Sequence, residues 1–144
     1  MKYDDASWHY GGDFPDDLPP EAGATHTGMF LAWALLHGLG GPLHTEEFPE
    51  ELESLKQRTI TPAQFFISAC DEKFTDEDLN EEGNSFATEY YGAGGEMRDY
   101  IGDYEDILGA GTASLYHVPD SWETFDRLSP RIQKRYEEWK TQNG

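Results

Sequence analysis

The stretch 25–42, THTGMFLAWALLHGLGGP, decides how this chain must fold. Met29, Phe30, Leu31, Trp33, Leu35 and Leu36 fall on every side of a 3.6-residue helix, and a helix without a polar face is one surrounded by protein. Thr25 or Thr27 is placed to cap its start, and Gly38, Gly40, Gly41 and Pro42 stop it near His37. The apolar run Met29–Leu36 is far shorter than the ~20 residues a membrane span requires. It therefore predicts the central helix of a protein core.

Outward from this helix the pattern stays helical. Residues 46–58 read as an amphipathic helix with Phe48, Leu52 and Leu55 on one side, acids at its start and Lys56 and Arg58 at its end. Thr61-Pro62 opens another, running through AQFFISAC to Cys70. Thr75-x-x-Asp78 has capping-box spacing and predicts a helix carrying Leu79, Phe86, Tyr90 and Tyr91. After the Gly92–Gly95 break, Met97, Tyr100, Ile101, Tyr104, Ile107 and Leu108 recur at helical spacing. Residues 113–118 are the best strand candidate. Asp120 starts a short helix with Trp122, Phe125 and Leu128, and Ser129-Pro130 starts a last one with Ile132, Tyr136 and Trp139. The expected fold is mainly α, one compact domain over 1–144 with about six or seven helices and at most a short strand. Residues 1–23 form an ordered arm, anchored by Tyr3, Trp8, Tyr10 and Phe14, and 24–144 form the helical body.

With 144 residues the chain can bury roughly 68–70% of its unfolded surface without staples. Cys70 is the only cysteine, so no internal disulfide forms. The beginning, MKYDDASWHYGG, has no apolar stretch of the kind a signal peptide carries, and a cytoplasmic location is expected.

Charge is the strongest compositional signal. The chain holds 29 acids against 10 Lys and Arg, a formal net charge of −19. Residues 71–89 alone carry eight acids and one base, whereas residues 120–144 carry five of each. Residues 25–45, 59–70 and 109–119 have no charged side chain and should supply much of the core. Such a charge repels nucleic acid and anionic membranes, and it steers basic surfaces inward.

Spacings that carry chemistry are absent from the sequence. His9, His26, His37, His44 and His117 form no HxxxH or HExxH pair, and no CxxC exists. Asp76, Asp78 and Asn80 match the first positions of a calcium loop, but Glu81 and Ala87 stand where Gly and Glu are needed. The clusters at 92–95 and 109–111 do not continue as phosphate loops. Cys70 lies between apolar residues and the acids Asp71 and Glu72, which disfavour a thiolate. The reading is of a protein that is not an enzyme and takes no cofactor or metal. Carboxylates interleaved with aromatics at 71–83 and 96–106 suit ion-pair and cation–π contact with Arg and Lys. The expected partner-binding residues are Asp76, Glu77, Asp78, Glu81, Glu82, Tyr90, Tyr91, Glu96, Asp99, Tyr100, Asp103 and Tyr104.

The stretches YDDASWHYGGDFP (3–15), ATHTGMFLAWALLHGL (24–39), FISACDEKFTDEDLNEEGNSF (66–86) and SLYHVPDSWETFDRL (114–128) resemble a family of small acidic bacterial proteins of uncharacterised domain type. Proteins of this sort resemble the immunity proteins of polymorphic and type VI-secreted toxins. That resemblance implies a stoichiometric inhibitor of a basic partner, such as a nuclease toxin, acting in the cytoplasm. The alternative is a metal-dependent hydrolase or other enzyme whose site converges in space from His9, His26 or His117 with Asp4 or Asp5.

Overall fold

In a computed structural model of the chain, residues 2–9, 17–18, 20–92, 94, 98–109 and 115–143 are described. The apolar stretch forms α1, Thr25–Leu36, and all its residues but Leu36 are buried. Neither Thr25 nor Thr27 caps it. Ala24 occupies the cap position without a side-chain bond, and the hydroxyl of Thr27 turns instead to the carboxylate of Asp4.

Around α1 stand α2 (Pro49–Lys56), α3 (Pro62–Cys70), α4 (Glu81–Tyr90), α5 (Arg98–Leu108) and α6 (Trp122–Asn143). The chain is thus mainly α, and one cluster of buried side chains, from Tyr3 to Ile132, serves all of these elements. Phe30 is the hub: its ring centroid lies 5.2 Å from that of Tyr91, 5.4 Å from Tyr100, 5.7 Å from Phe74 and 5.9 Å from Tyr90. These separations suit tilted and edge-on ring pairs, the favoured aromatic arrangements.

The first residues of the expected arm or loop form a strand. β1 (Lys2–Asp5) pairs antiparallel with β2 (Lys73–Thr75), with an irregularity between Lys2 and Asp4. Tyr3 docks into the core as expected, Trp8 is 48% exposed, and Tyr10 and Phe14 lie outside the described residues. The strand pair replaces the strand expected at 113–118: Leu115–His117 is a single 3₁₀ turn, and 113–114 are outside the described residues.

Local signals set most helix ends, with three corrections. Thr61 accepts from the Gln64 N–H at 3.2 Å while Gln64 accepts from the Thr61 N–H at 2.9 Å, so α3 starts on a full capping box with Pro62 behind it. Thr75 and Asp78 also make a capping box, but it closes only one 3₁₀ turn, Asp76–Asp78; Asn80 caps α4 through the Gly83 N–H. Residues 43–47 wind as a π-turn, and α2 begins at Pro49. Phe48 therefore sits outside the helix, 43% exposed, not on the apolar side of Leu52 and Leu55. Ser129-Pro130 does not start a helix. α6 runs through Pro130, because Phe125 and Leu128 before it and Ile132 after it are anchored in the same core. Their burial outweighs the ~3 kcal/mol that an interior proline costs.

The tightest helix contact is between α1 and α3. A Cβ on Gly28 would stand 2.8 Å from the carbonyl oxygen of Pro62, closer than real Cβ atoms come. In an isolated helix Ala would be favoured over Gly by roughly 0.5–1 kcal/mol. Gly28→Ala is expected to reverse that sign and destabilise the protein by about 1–3 kcal/mol in urea unfolding. A gain in stability would mean that the two helices are not in contact there.

Candidate functional site

The expected partner-binding residues separate into three groups. Asp76, Glu77, Glu81, Glu82 and Asp99 are exposed. Glu96 lies outside the described residues. The rest are buried, which corrects the expectation that they form surface anchors: Tyr91, Tyr100 and Tyr104 are fully buried, and Tyr90, Asp78 and Asp103 nearly so. The tyrosines recur at helical spacing for the same reason that Phe30 needs neighbours, since each fills the wall around α1. Burial first, then Asp4, holds the Tyr91 hydroxyl far above its ordinary pKa, so it stays a donor.

Asp103 is an internal anchor. It accepts from the Tyr90 hydroxyl at 2.7 Å, from Arg131 at 3.0 Å and from Arg135 at 2.9 and 3.0 Å. These bonds tie α5 to α6. The cations of the acidic chain are spent in the same way: Arg58 is bidentate on Asp126, Lys2 pairs with Asp5, Lys73 with Asp71, and Lys140 approaches Glu82. Glu82 also accepts from the Tyr136 hydroxyl, whose pKa burial and that carboxylate push up to about 12. Residues 98–106 of the expected run are thus partly roofed by α6.

What remains open lies on a neighbouring pair of turns. The turn 43–47 packs on the turn 76–78, and the backbone of 39–41 runs against 78–80. Gly41 makes this approach possible: its N–H donates to the Asp78 carbonyl at 3.1 Å, and a Cβ there would stand 2.7 Å from the Leu79 oxygen. Glu46 and Glu47 consequently belong to a turn that packs on the turn of Glu77, with Glu50 and Glu51 following on α2 and Glu81 on α4. Five are exposed and Glu51 is half-buried, and among the described residues none is matched to a cation. Phe48 projects from the middle of the first run.

Beneath this face three side chains from distant parts of the chain meet. His44 Nε2 lies 2.7 Å from Asp78 Oδ1 and 3.7 Å from Cys70 Sγ. His44 and Asp78 are buried, the imidazole rests on Phe65 at 5.3 Å, and Cys70 is partly exposed. Asp78 Oδ2 is held by the Thr75 N–H at 2.8 Å. Cys70 ends α3, and the chain leaves it through two left-handed residues, Asp71 (φ 52°) and Glu72 (φ 62°), a conformation disfavoured outside glycine. The arrangement is not a cysteine–histidine–aspartate relay. In such a relay the sulfur and the carboxylate take opposite ring nitrogens, whereas here both face Nε2. Burial first, and then the charge of Asp78, raises the Cys70 thiol well above its ordinary pKa, the reverse of an activated nucleophile. No local spacing in the sequence links positions 44, 70 and 78. The only hint was that His44 and Cys70 are polar residues within uncharged, core-forming stretches.

Of the alternative set, the fold brings His26 Nε2 within 3.6 Å of Asp4 Oδ2. The Tyr91 hydroxyl donates to the same oxygen at 2.5 Å, and Thr27 lies 3.2 Å away. Both His26 and Asp4 are fully enclosed, so in this conformation the group fastens β1 to α1 and α4. His117 instead faces Asp17 at 3.0 Å, and the side chain of His9 is outside the described residues.

The model of a protein family described as a domain of unknown function, DUF7832, matches residues 2–118, and the chain belongs to that family. The matched region contains both acidic turns and the His44 cluster and stops short of α6. No curated protein and no solved structure matches the chain. No helix among the described residues is long and apolar enough to cross a membrane.

Asp103 gives a measurable consequence. Burial raises its pKa, but the bonds from Arg135, Tyr90 and Arg131 outweigh burial and hold it below the usual carboxylate range. A carboxyl with a lower folded pKa stabilises above its unfolded pKa, and that stabilisation is lost as pH falls through the folded value. Asp103→Asn is expected to cost about 2–3 kcal/mol at neutral pH, less than a fully enclosed pair because both arginines are partly exposed. In denaturant unfolding at several pH values, the gap to the wild type should shrink as the pH falls into the acid range. A gap independent of pH would show that the charge of Asp103 is not what α6 grips.

Proposed function

We propose that this protein acts by binding a basic partner protein through the face built by residues 46–51 and 76–81. The observation that carries this reading is Phe48, 43% exposed amid Glu46, Glu47, Glu50 and Glu51. An aromatic ring in an uncompensated acidic surface offers an Arg or Lys both an ion pair and a cation–π contact. The wider field of a −19 chain steers such a partner to the surface before contact. In its finer form, the partner is a toxin whose surface is basic because it engages nucleic acid. The protein then works as an immunity protein, neutralising the toxin by stoichiometric binding in the cytoplasm. The resemblance of its size and charge to such inhibitors supports this form, and the internal use of its cations sharpens it. The face differs from the one expected from sequence: Asp78, Asp103 and the four tyrosines leave it, and the 46–51 run joins it.

The decisive measurement is binding of the purified protein to the basic products of neighbouring genes, together with protection of cells that express them. Reversing Glu46, Glu47, Glu50 and Glu51 to Lys should slow association about tenfold or more at low salt, with the difference closing as salt is added. Phe48→Ala should act on dissociation instead. Reversing Glu137 and Glu138 on α6 should change little. If no neighbouring product binds or is neutralised, the reading fails; if the α6 pair matters more, the partner docks on another face.

A further inference from the structure

We propose that His44, Cys70 and Asp78 form a zinc site. The site lies under the acidic face but does not depend on the docking reading, since its ligands are buried or partly buried.

Three ligand atoms of three chemical kinds, an imidazole nitrogen, a sulfur and a carboxylate oxygen, lie within 4.8 Å of one another. They come from three separate elements: the π-turn 43–47, the end of α3 and the 3₁₀ turn 76–78. Zinc bonds of about 2.0–2.2 Å to nitrogen and oxygen and about 2.3 Å to sulfur put tetrahedral ligand atoms roughly 3.4 Å (N to O) and roughly 3.6 Å (S to N) apart. The Cys70–His44 separation of 3.7 Å already has that value. The His44–Asp78 separation of 2.7 Å is that of a hydrogen bond. It must open by about 0.7 Å to admit the ion, a small turn of one carboxylate.

The convergence on one ring nitrogen, which rules out a catalytic relay, is what coordination requires: all three atoms face one point. Support for the ligands is also present. The Thr75 N–H fixes Asp78 Oδ2 and leaves Oδ1 for the ion, the role that outer partners play around bound metals. The left-handed pair Asp71–Glu72 turns the chain sharply after Cys70, so the sulfur is held at the helix end. Thiolate and imidazole select zinc over magnesium or calcium, which prefer all-oxygen cages. On binding, the thiol proton leaves to solvent, and the ring proton moves from Nε2 to Nδ1, which has no hydrogen-bond partner among the described residues. Among the described residues no fourth His, Cys, Asp or Glu joins the group. The fourth position of the tetrahedron would then fall to water or another ligand.

The test uses the purified full-length protein, stripped with chelator and titrated with Co²⁺ as a spectroscopic stand-in, then with Zn²⁺. The expected result is one equivalent of Co²⁺ giving a thiolate-to-metal band in the near ultraviolet and the intense visible bands of a tetrahedral ion, both removed by Zn²⁺. Cys70→Ser is nearly isosteric and should abolish the near-ultraviolet band and weaken binding by more than the roughly 10–100-fold that loss of an outer partner causes. Asp78→Asn, with folding checked by circular dichroism, should weaken binding while keeping the thiolate band. Absence of the band in the wild-type protein overturns the site. So does Co²⁺ affinity unchanged by Cys70→Ser, which would place the ion on the surface carboxylates.

Discussion

All but one of the twelve residues of α1 are buried, and a helix with no outward face must be covered from every direction. That constraint organises the molecule. α3 crosses it at Gly28, α4 and α5 bring Phe86, Tyr90, Tyr100 and Tyr104 to it, and the small β1–β2 pair closes it with Tyr3 and Phe74. Many of the aromatic residues serve this one task. Burial of large rings supplies most of the apolar area, and ring-on-ring geometry adds directional preference.

A chain with so many acids has to decide where each carboxylate goes. Among the described residues four are taken inside, Asp4, Asp5, Asp78 and Asp103, and two of them show how such a carboxylate is answered. Asp4 receives the hydroxyl of Tyr91 and its own neighbour's N–H at 2.8 Å, and Asp103 receives a tyrosine and two arginines. Unanswered, either would impose a desolvation penalty of several kcal/mol. Because the arginines of α6 serve Asp103, Asp106 and Glu138, they contribute little to neutralising the opposite surface. The folded protein therefore pairs many of its cations with acids elsewhere and leaves uncompensated acids on the turns around 46–51 and 76–81.

Much of this architecture was legible in the sequence, and the illegible parts share a cause. The all-round apolar pattern of 25–36 announced a buried helix, and Thr61-Pro62 announced the start of α3, because both signals are complete within a few residues. Pro130 misled because the core contacts of Phe125, Leu128 and Ile132 overrule a local breaker. The tyrosines at 90, 91, 100 and 104 misled because alternation with carboxylates looks alike whether the rings face water or the core; only the direction of Phe30 settles it. The His44–Cys70–Asp78 meeting was invisible because its separations of 26 and 8 residues are set by how α3 and two turns pack, and no short motif records that.

The close approach at Gly28 reaches further than the stability of one helix pair. α3 rises about 12 Å from Pro62 to Cys70 at 1.5 Å per residue, and it is seated on α1 near its first residue, where the missing side chain of Gly28 lets the Pro62 carbonyl come in. The helix behaves as a short lever pivoted at that end. A tilt of a few degrees at the pivot moves the sulfur at the far tip by several tenths of an ångström, a large fraction of the adjustment that separates a hydrogen-bonded trio from a coordinating one. The absence of one methyl group thus bears, through α3, on a cluster to which it makes no contact.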